Sequence, residues 1–265
     1  MLIIIIFIII AVYFLWGNLS IATTKITVRS SSLPSSFDGF KIVHISDLHN
    51  DEFGDDNQRL LSLIRNTKPD IIALTGDIID SRRTDTEVAE EFIEDALKIA
   101  PVYYSTGNHE SRLKNFPSTE REFIEDGAIV LRNEAKYINK GNHSILIAGI
   151  DDPDFKSTDT ASAIKDIGKN DAFTVLLSHR PELFDIYCKE GIDLTLSGHA
   201  HGGQFRLPFI GGIYAPHQGL MPEYTEGLYT NGSSNMIVSR GLGKSLFPIR
   251  FNNRPEIVVI TLETK

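Results

Sequence analysis

The sequence is short of cysteine and of positive charge, and each shortage argues against a class of protein. Cys188 is the only cysteine among 265 residues, so the chain can form no intrachain disulfide and no cysteine metal cluster. The chain carries 26 Lys and Arg against 35 Asp and Glu, a formal net charge of -9. Duplex nucleic acid requires a basic face, so it is not expected as a partner, and nothing indicates an obligate protein partner. Phosphate chemistry remains open to an acidic protein, because bound cations supply positive charge locally.

Charge is lacking altogether from the first 24 residues, and every side chain from Leu2 to Trp16 is apolar. A helix over 2–22 would rise about 30 Å, enough to cross the hydrocarbon core of a bilayer. A helix in the core of a soluble domain would present a polar face, which this segment lacks. We therefore predict a membrane segment over residues 1–22.

The fate and orientation of this segment are less clear from the sequence. Ser20, Ile21 and Ala22 resemble a signal-peptidase site, but no basic region precedes the apolar run, so a retained anchor is favoured over a cleaved signal. Lys25 and Arg29 follow the segment, and the positive-inside bias then favours a cytoplasmic position for the rest of the chain. Both alternatives stay open at this point.

The remainder of the chain alternates short apolar strands with helices. Residues 23–39 are rich in Ser and Thr and predict a linker around an extended segment at 26–28, and a single catalytic domain is predicted over 40–265. Predicted strands lie at 41–46, 70–75, 101–105, 144–150, 173–178, 192–197, 235–239 and 256–262. Predicted helices lie at 56–66, 84–99, 118–126 and 159–168. Thr84 and Glu87 indicate a capping box in the second helix, and the whole pattern indicates a layered α/β sandwich.

Polar residues follow the ends of five predicted strands, in the motifs SDLH, TGDIID, TGNHE, LLSHRPE and SGHAHGG. The residues concerned are Asp47, His49, Asp77, Asn108, His109, His179, His199 and His201. The carboxyl ends of parallel strands share one edge of a sheet, which is where ligands bind in open α/β folds. Aspartate can bridge two cations, while imidazole nitrogen and an Asn carbonyl add further ligands, so the pattern predicts a metal site. Ligands of nitrogen and oxygen alone suit manganese, iron or zinc.

This order of D-x-H, G-D, G-N-H-E, a lone H and G-H-x-H resembles the calcineurin-like metallophosphoesterases over residues 41–262. The resemblance implies a four-layer α-β-β-α sandwich and two divalent transition-metal ions that share a hydroxide, which attacks phosphorus. It implies that one ion is bound by Asp47, His49, Asp77 and His201. It implies that the other is bound by Asp77, Asn108, His179 and His199, with Asp77 bridging. His109 matches the general acid of the family.

The motif GHAHGGQ and the segment at 238–262 are similar to a membrane-attached bacterial branch of that family. This branch contains UDP-diacylglucosamine diphosphatases and cell-wall-associated phosphoesterases. The similarity implies a phosphodiesterase or diphosphatase with a lipid-linked or envelope substrate, held at the cell membrane by a single-pass anchor with its catalytic domain outside the cytoplasm. A broad phosphomonoesterase and a membrane-tethered binding module without activity remain as alternatives.

Several other side chains have less decisive interpretations. His44 lies inside the first predicted strand and is expected to be structural, and Glu110 is expected to shape the GNHE turn or support His109. Asp151 and Asp152 are either turn residues or line the substrate pocket. Arg180 could meet a phosphate but is expected to pair at the surface, and His217 is expected to be an ordinary loop histidine. Aromatic residues in 205–229 either contact an acyl chain or pack the loop.

Overall fold

The computed structural model describes residues 1–156, 159–244 and 247–265. Ser245 and Leu246, within the segment 238–262 quoted above, therefore lie outside the described residues. The helices in the described residues are α1 (Leu2–Leu19), α2 (Gln58–Thr67), α3 (Glu87–Leu97), α4 (Phe116–Asp126), α5 (Thr160–Ile167) and α6 (Phe184–Lys189). Helix α1 has the length and the apolar composition needed to cross a membrane, and none of its residues is buried.

Most of the strands are short, and they belong to two large sheets and two small hairpins. In the first half of the chain they are β1 (Ala22–Ser30), β2 (Lys41–Ile45), β3 (Ile71–Thr75), β4 (Val102–Ser105), β5 (Ile129–Val130), β6 (Glu134–Lys140) and β7 (His143–Gly149). In the second half they are β8 (Thr174–Leu177), β9 (Leu194–Ser197), β10 (Arg206–Leu207), β11 (Gly211–Gly212), β12 (Tyr214–Ala215), β13 (Gly219–Leu220), β14 (Gly227–Asn231), β15 (Ser234–Val238) and β16 (Glu256–Thr264).

The two large sheets have related topologies. The first sheet has the order β1-β16-β2-β3-β4-β5, and its strands β2 to β5 are parallel. The second has the order β14-β15-β9-β8-β7-β6, and its four central strands are parallel. In both sheets the parallel strands therefore end at a common edge, where ligand sites form in α/β folds.

The strands alternate their side chains between two hydrophobic layers, which stacks the molecule into four layers. In β3, Ile71 and Ala73 face the other sheet, whereas Ile72 and Leu74 pack with the helices α2, α3 and α4. In β8, Leu176 packs with α5 and α6 while its neighbours face the first sheet. This period of two produces three buried clusters between four layers. The predicted α-β-β-α sandwich is confirmed.

The N-terminal part of the domain differs from the sequence-based expectation. Ala22–Ser30 forms β1, which pairs in parallel with β16 over nine residues, so about half of the predicted linker is an edge strand of the first sheet. Val28 in this strand is buried between the sheets. The expected capping box at Thr84 is also wrong, because α3 begins at Glu87 with Thr86 at the N-cap and no side-chain cap.

Candidate metal centre

Side chains from both sheets meet at the edge where the parallel strands end. The first sheet contributes Asp47, His49, Asp77 and Asn108, which follow β2, β3 and β4. The second sheet contributes His179, His199 and His201, which follow β8 and β9. All seven side chains are buried. The predicted ligand residues are thus close together, although they lie as far apart as 154 positions along the chain.

One group of possible ligands contains Asp47, His49 and His201, whose ligating atoms lie within 4.8 Å of one another. Nε2 of His201 is 3.1 Å from Oδ1 of Asp47 and 3.3 Å from Nε2 of His49. Nε2 of His49 is 3.8 Å from the same Asp47 oxygen. These spacings place two nitrogens and a carboxylate oxygen around one point, a donor set that suits a transition metal.

A second group contains Asp77, His179 and His199, again within 4.8 Å. Nε2 of His179 is 3.2 Å from Oδ2 of Asp77 and 3.1 Å from Nδ1 of His199. Nδ1 of His179 donates to the carbonyl of Thr75 at 2.7 Å, which leaves the lone pair on Nε2. Metal-binding histidines are commonly oriented by such a bond to a carbonyl oxygen.

Asp77 lies between the two groups. Its Oδ2 atom is 3.8 Å from Nε2 of His49 as well as 3.2 Å from Nε2 of His179. Asn108 supplies a further sign of a cation site, since its Oδ1 atom is buried and has no hydrogen-bond partner among the described residues. A buried acceptor without a partner is costly unless a ligand satisfies it. The residues present therefore fit bound divalent cations.

The electrostatics of the centre also suit cations. Burial alone would raise the pKa of Asp47 and Asp77, but the neighbouring histidines outweigh it and hold both pKa values well below the usual range. Burial disfavours protonation of His179, yet Asp77 and Asp47 raise its pKa to about 10. The carboxylates thus attract a proton onto a histidine, and metal binding at such sites displaces protons from the ligands.

The backbone at the centre is strained. Positive φ angles occur at Asp47 (54°), His49 (52°), Asp77 (51°), His199 (66°) and His201 (46°). Residues other than glycine rarely adopt the left-handed region, and such strain is concentrated at functional sites. Gly198 allows the chain to approach closely, because a Cβ atom there would lie 1.8 Å from Oγ of Ser46 and 2.4 Å from Oδ2 of Asp47.

His109 lies beside this centre and lines the same pocket. Its Nδ1 atom accepts a hydrogen bond from the backbone N–H of Ser81 at 3.0 Å, and Oδ1 of Asp80 is 3.3 Å away. Burial lowers the pKa of His109 to about 4, although Asp77 opposes the shift. In the neutral ring the proton therefore lies on Nε2, because Nδ1 acts as an acceptor.

Glu110 holds the two turns that carry Asp77 and Asn108. Its carboxylate accepts hydrogen bonds from the backbone N–H groups of Asp77, Ile78 and Gly107, all at 2.9 Å. Burial and the charge of Asp77 raise the pKa of Glu110 to about 7, which the backbone donors oppose. Of the two roles expected for this residue, its described hydrogen bonds correspond to shaping the turns.

Several residues around the centre were missed or misjudged from the sequence. His217 is not a plain loop histidine, because its Nδ1 atom is 2.8 Å from Nε2 of His199 and 2.5 Å from Nη1 of Arg180. Arg180 is buried and donates to both carboxylate oxygens of Asp152, at 2.5 and 2.8 Å. The sequence hints at this network were the doublet of Asp151 and Asp152 after β7 and Arg180 in the motif LLSHRPE, which was expected to pair at the surface. The path of the 205–221 loops has no periodic signal.

The pocket above the centre has a volume of about 280 Å³ and two chemically different sides. Arg82 and Arg112 line it together with His109, while Tyr214 and Phe247 contribute aromatic surface. The guanidinium groups suit an anion and the rings suit an apolar group.

The family model of the calcineurin-like phosphoesterases matches residues 40–203. The chain belongs to this family. It is 36% identical to the uncharacterized metallophosphoesterase YkuE of Bacillus subtilis (strain 168), with 92% of this chain and 86% of that protein covered. It is 29% identical to the phosphodiesterase YaeI of Escherichia coli (strain K12), with 84% and 82% covered. The crystal structure of TT1561 of Thermus thermophilus has the same fold, with a TM-score of 0.52 at 13% identity over 77% of this chain and 90% of that one.

Membership of the calcineurin-like phosphoesterases makes this chain a metal-dependent hydrolase of phosphate esters. The predicted family and enzyme class are confirmed.

Proposed function

We propose that the chain is a dinuclear phosphodiesterase or diphosphatase that is anchored in the cell membrane and acts on a lipid-linked or envelope substrate. The two adjoining groups of ligands, with Asp77 between them, are the observation that carries this proposal. Asp47, His49, Asp77 and His201 would hold one cation. Asp77, Asn108, His179 and His199 would hold the other.

Different residues of the chain would have different roles in hydrolysis. When bound, the cations would activate a water molecule as nucleophile and neutralise charge on the phosphate oxygens. His109 would donate the proton on Nε2 to the departing oxygen, because Ser81 occupies Nδ1. Arg82 and Arg112 line the pocket and would orient the anionic group, while Tyr214 would contact the apolar part of the substrate.

The choice of a diester or diphosphate rests on the shape and chemistry of the pocket. A phosphomonoester carries one organic group and a diester carries two, and this pocket offers the apolar surface of Tyr214 and Phe247 in addition to its cationic groups. A second organic substituent on the phosphate would contact this apolar surface. The name of the relative YaeI, a phosphodiesterase, points in the same direction.

Membrane anchoring is supported by the contacts between α1 and the catalytic domain. Asn18 exchanges two hydrogen bonds with the backbone of Arg250, at 2.7 and 3.0 Å. Ala22, at the end of the possible signal-peptidase site, already belongs to β1 and pairs with Glu256. These contacts favour a retained anchor. Arg29 forms an exposed ion pair with Glu263 at 2.9 Å. We place the catalytic domain outside the cytoplasm because the resemblance to the membrane-attached bacterial branch implies it.

Two substitutions test the roles of ligand and acid. Asp77→Asn should abolish both bound metal and activity, since Asp77 belongs to both ligand sets. His109→Ala should keep the metal but lower the rate on a diester with a poor, alkoxide leaving group about 100-fold, because such an oxygen departs only when it is protonated. His143→Ala, at an exposed position on β7, serves as the control. Metal content by mass spectrometry and rates with added manganese are the measurements.

The outcomes separate the proposal from its rivals. Faster hydrolysis of p-nitrophenyl phosphate than of bis-p-nitrophenyl phosphate would favour a broad phosphomonoesterase. A protein that binds metal but hydrolyses neither compound would be a membrane-tethered binding module. Full activity of the His109→Ala variant on the diester with the poor leaving group would contradict the proton-donor role.

A further inference from the structure

The contacts of α1 place one part of the catalytic domain at the level of the membrane surface. The 18 residues of α1 would rise about 27 Å, so the entire helix is needed to span a hydrocarbon core of about 30 Å. Tyr13, Phe14 and Trp16 lie in its last two turns, and Tyr and Trp are enriched where membranes meet water. The Phe251 ring is 6.4 Å from Tyr13 and 6.0 Å from Phe14. Phe251 therefore lies at the depth of these interfacial rings.

Phe251 is continuous with the loops around the metal pocket. The backbone N–H of Arg206 donates to the carbonyl of Phe251 at 3.0 Å, which holds the β10–β11 hairpin beside it. The Phe205 ring is 5.7 Å from Phe247, which lines the metal pocket. A chain of direct contacts thus leads from α1 to the pocket opening.

Exposed apolar side chains cover this path. We call them the apolar rim: Leu207, Phe209, Ile210, Leu220, Phe247 and Ile249. Each is at least 40% exposed, and Phe209 is entirely exposed on a backbone with a φ of 67°. Single exposed apolar residues are common, but a contiguous set marks an interaction surface. By contrast, Tyr224 packs against Phe184 and Tyr229 and belongs to the loop interior.

We propose that the apolar rim inserts into the lipid bilayer on the side where α1 emerges, so that the metal pocket opens onto the membrane interface. A lipid phosphoester could then present its headgroup to the metals while its acyl chains remain in the bilayer. The inference rests on α1 being the membrane anchor of the proposed function. We assign the bilayer as the partner of the apolar rim because the rim is continuous with α1, the proposed membrane segment. Arg254, whose guanidinium lies 4.5 Å from the Trp16 ring centre, has the position expected of a cation at the interface.

The test measures the depth of single fluorescent labels in the full-length protein. Cys188→Ser removes the native thiol, and Phe209→Cys or Leu220→Cys provides one labelling site on the rim. Neither position lines the metal pocket. Ile124→Cys and Tyr137→Cys are matched controls, because both are exposed apolar residues, on α4 and on β6. The protein is reconstituted in phosphatidylethanolamine and phosphatidylglycerol vesicles that contain a spin-labelled lipid quencher.

Labels at the rim should lose about half of their fluorescence, since interfacial apolar groups insert about 5–10 Å below the surface. The control labels should be unaffected. Equal quenching at all four positions, or none at the rim, would overturn the inference, and quenching between labelled copies without lipid quencher would identify a second copy as the occupant. Hydrolysis of soluble bis-p-nitrophenyl phosphate in the same samples reports separately on the proposed function. Its loss would contradict that function and leave the depth measurement valid.

Discussion

Asn108 and Glu110 lie two residues apart in one turn, and their side chains occupy opposite electrostatic environments. The Oδ1 atom of Asn108 is buried and has no donor among the residues described here. The Glu110 carboxylate accepts hydrogen bonds from backbone N–H groups of two different turns. Asn108 therefore offers an oxygen lone pair to which a cation could bind, whereas the hydrogen bonds of Glu110 are satisfied without a cation. This difference predicts different consequences for their substitution.

Asn108→Ala should weaken metal binding without destabilising the metal-free protein. The metal-free protein loses no hydrogen bond of Oδ1, so its free energy of unfolding should change by less than about 1 kcal/mol. Asn253→Ala is the contrasting control, because Nδ2 of Asn253 donates to the carbonyls of His201 and Gln204 at 2.7 and 3.1 Å. That variant should lose about 1–2 kcal/mol without metal. Denaturant unfolding with chelator and metal titration by calorimetry distinguish the two effects.

Glu110→Gln should destabilise the protein with and without metal. In this variant an amide NH2 group replaces one of the Glu110 carboxylate oxygens. The backbone N–H groups that now donate to that oxygen would lose their acceptor, and unsatisfied buried donors cost about 1–3 kcal/mol each. We expect the free energy of unfolding to fall by about 3 kcal/mol, measured by denaturant unfolding in detergent. Glu125→Gln makes the same exchange at an exposed position of α4 and should be neutral. Equal stabilities of the two variants would contradict the role of Glu110 in holding the turns.

At the scale of elements, the central strands could be predicted because they are short, apolar and buried on both faces. The predicted strands at 41–46 and 70–75 correspond to β2 and β3, whose side chains alternate between two layers of core. The family motifs follow these strands, so the clustering of the predicted ligand residues followed from the strand order. Short βα turns fix which residues emerge at the edge of a parallel sheet.

Edge strands could not be predicted in the same way. Glu134–Lys140 forms β6, but it is exposed along almost its entire length, so its residues carry no period of burial. It is a strand because it pairs with β7 over seven residues. The Ser- and Thr-rich composition of 23–39 likewise concealed β1, which is held by a distant partner, β16. Pairing between residues far apart in the chain leaves little trace in local composition.

Removal of residues 1–30 should destabilise the domain more than removal of residues 1–19. The shorter deletion keeps β1 and its pairing with β16. The longer one exposes the edge of β16 and removes Val28, whose burial alone is worth about 2 kcal/mol. We expect the free energy of unfolding of 31–265 to be lower by at least about 3 kcal/mol, measured by denaturant titration. Equal stability of the two shortened chains would mean that β1 is an accessory to the sheet.

At the scale of the whole molecule, the side chains of the candidate metal centre join the two sheets. The contact between Asp47 and His201 links the first sheet to the second at 3.1 Å, and that between Asp77 and His179 does so at 3.2 Å. The backbone carbonyl of Thr75 at the end of β3 accepts from His179 across the same boundary. Cations held by ligands from both sheets should therefore stabilise the packing of the sandwich, in addition to their chemical role.

Metal loading should raise the melting temperature, and ligands from either sheet should be equally necessary. A cation at 100 times its dissociation constant stabilises the folded state by about 2.7 kcal/mol, and each kcal/mol shifts the melting temperature of a domain of this size by about 2–4 °C. The increment should be reduced in His49→Ala, from the first sheet, and in His179→Ala, from the second, because each variant removes a ligand from one of the two proposed cations. It should persist in His143→Ala, an exposed histidine on β7. An increment reduced in only one of the two ligand variants would mean that the cations are bound by a single sheet and do not join the layers.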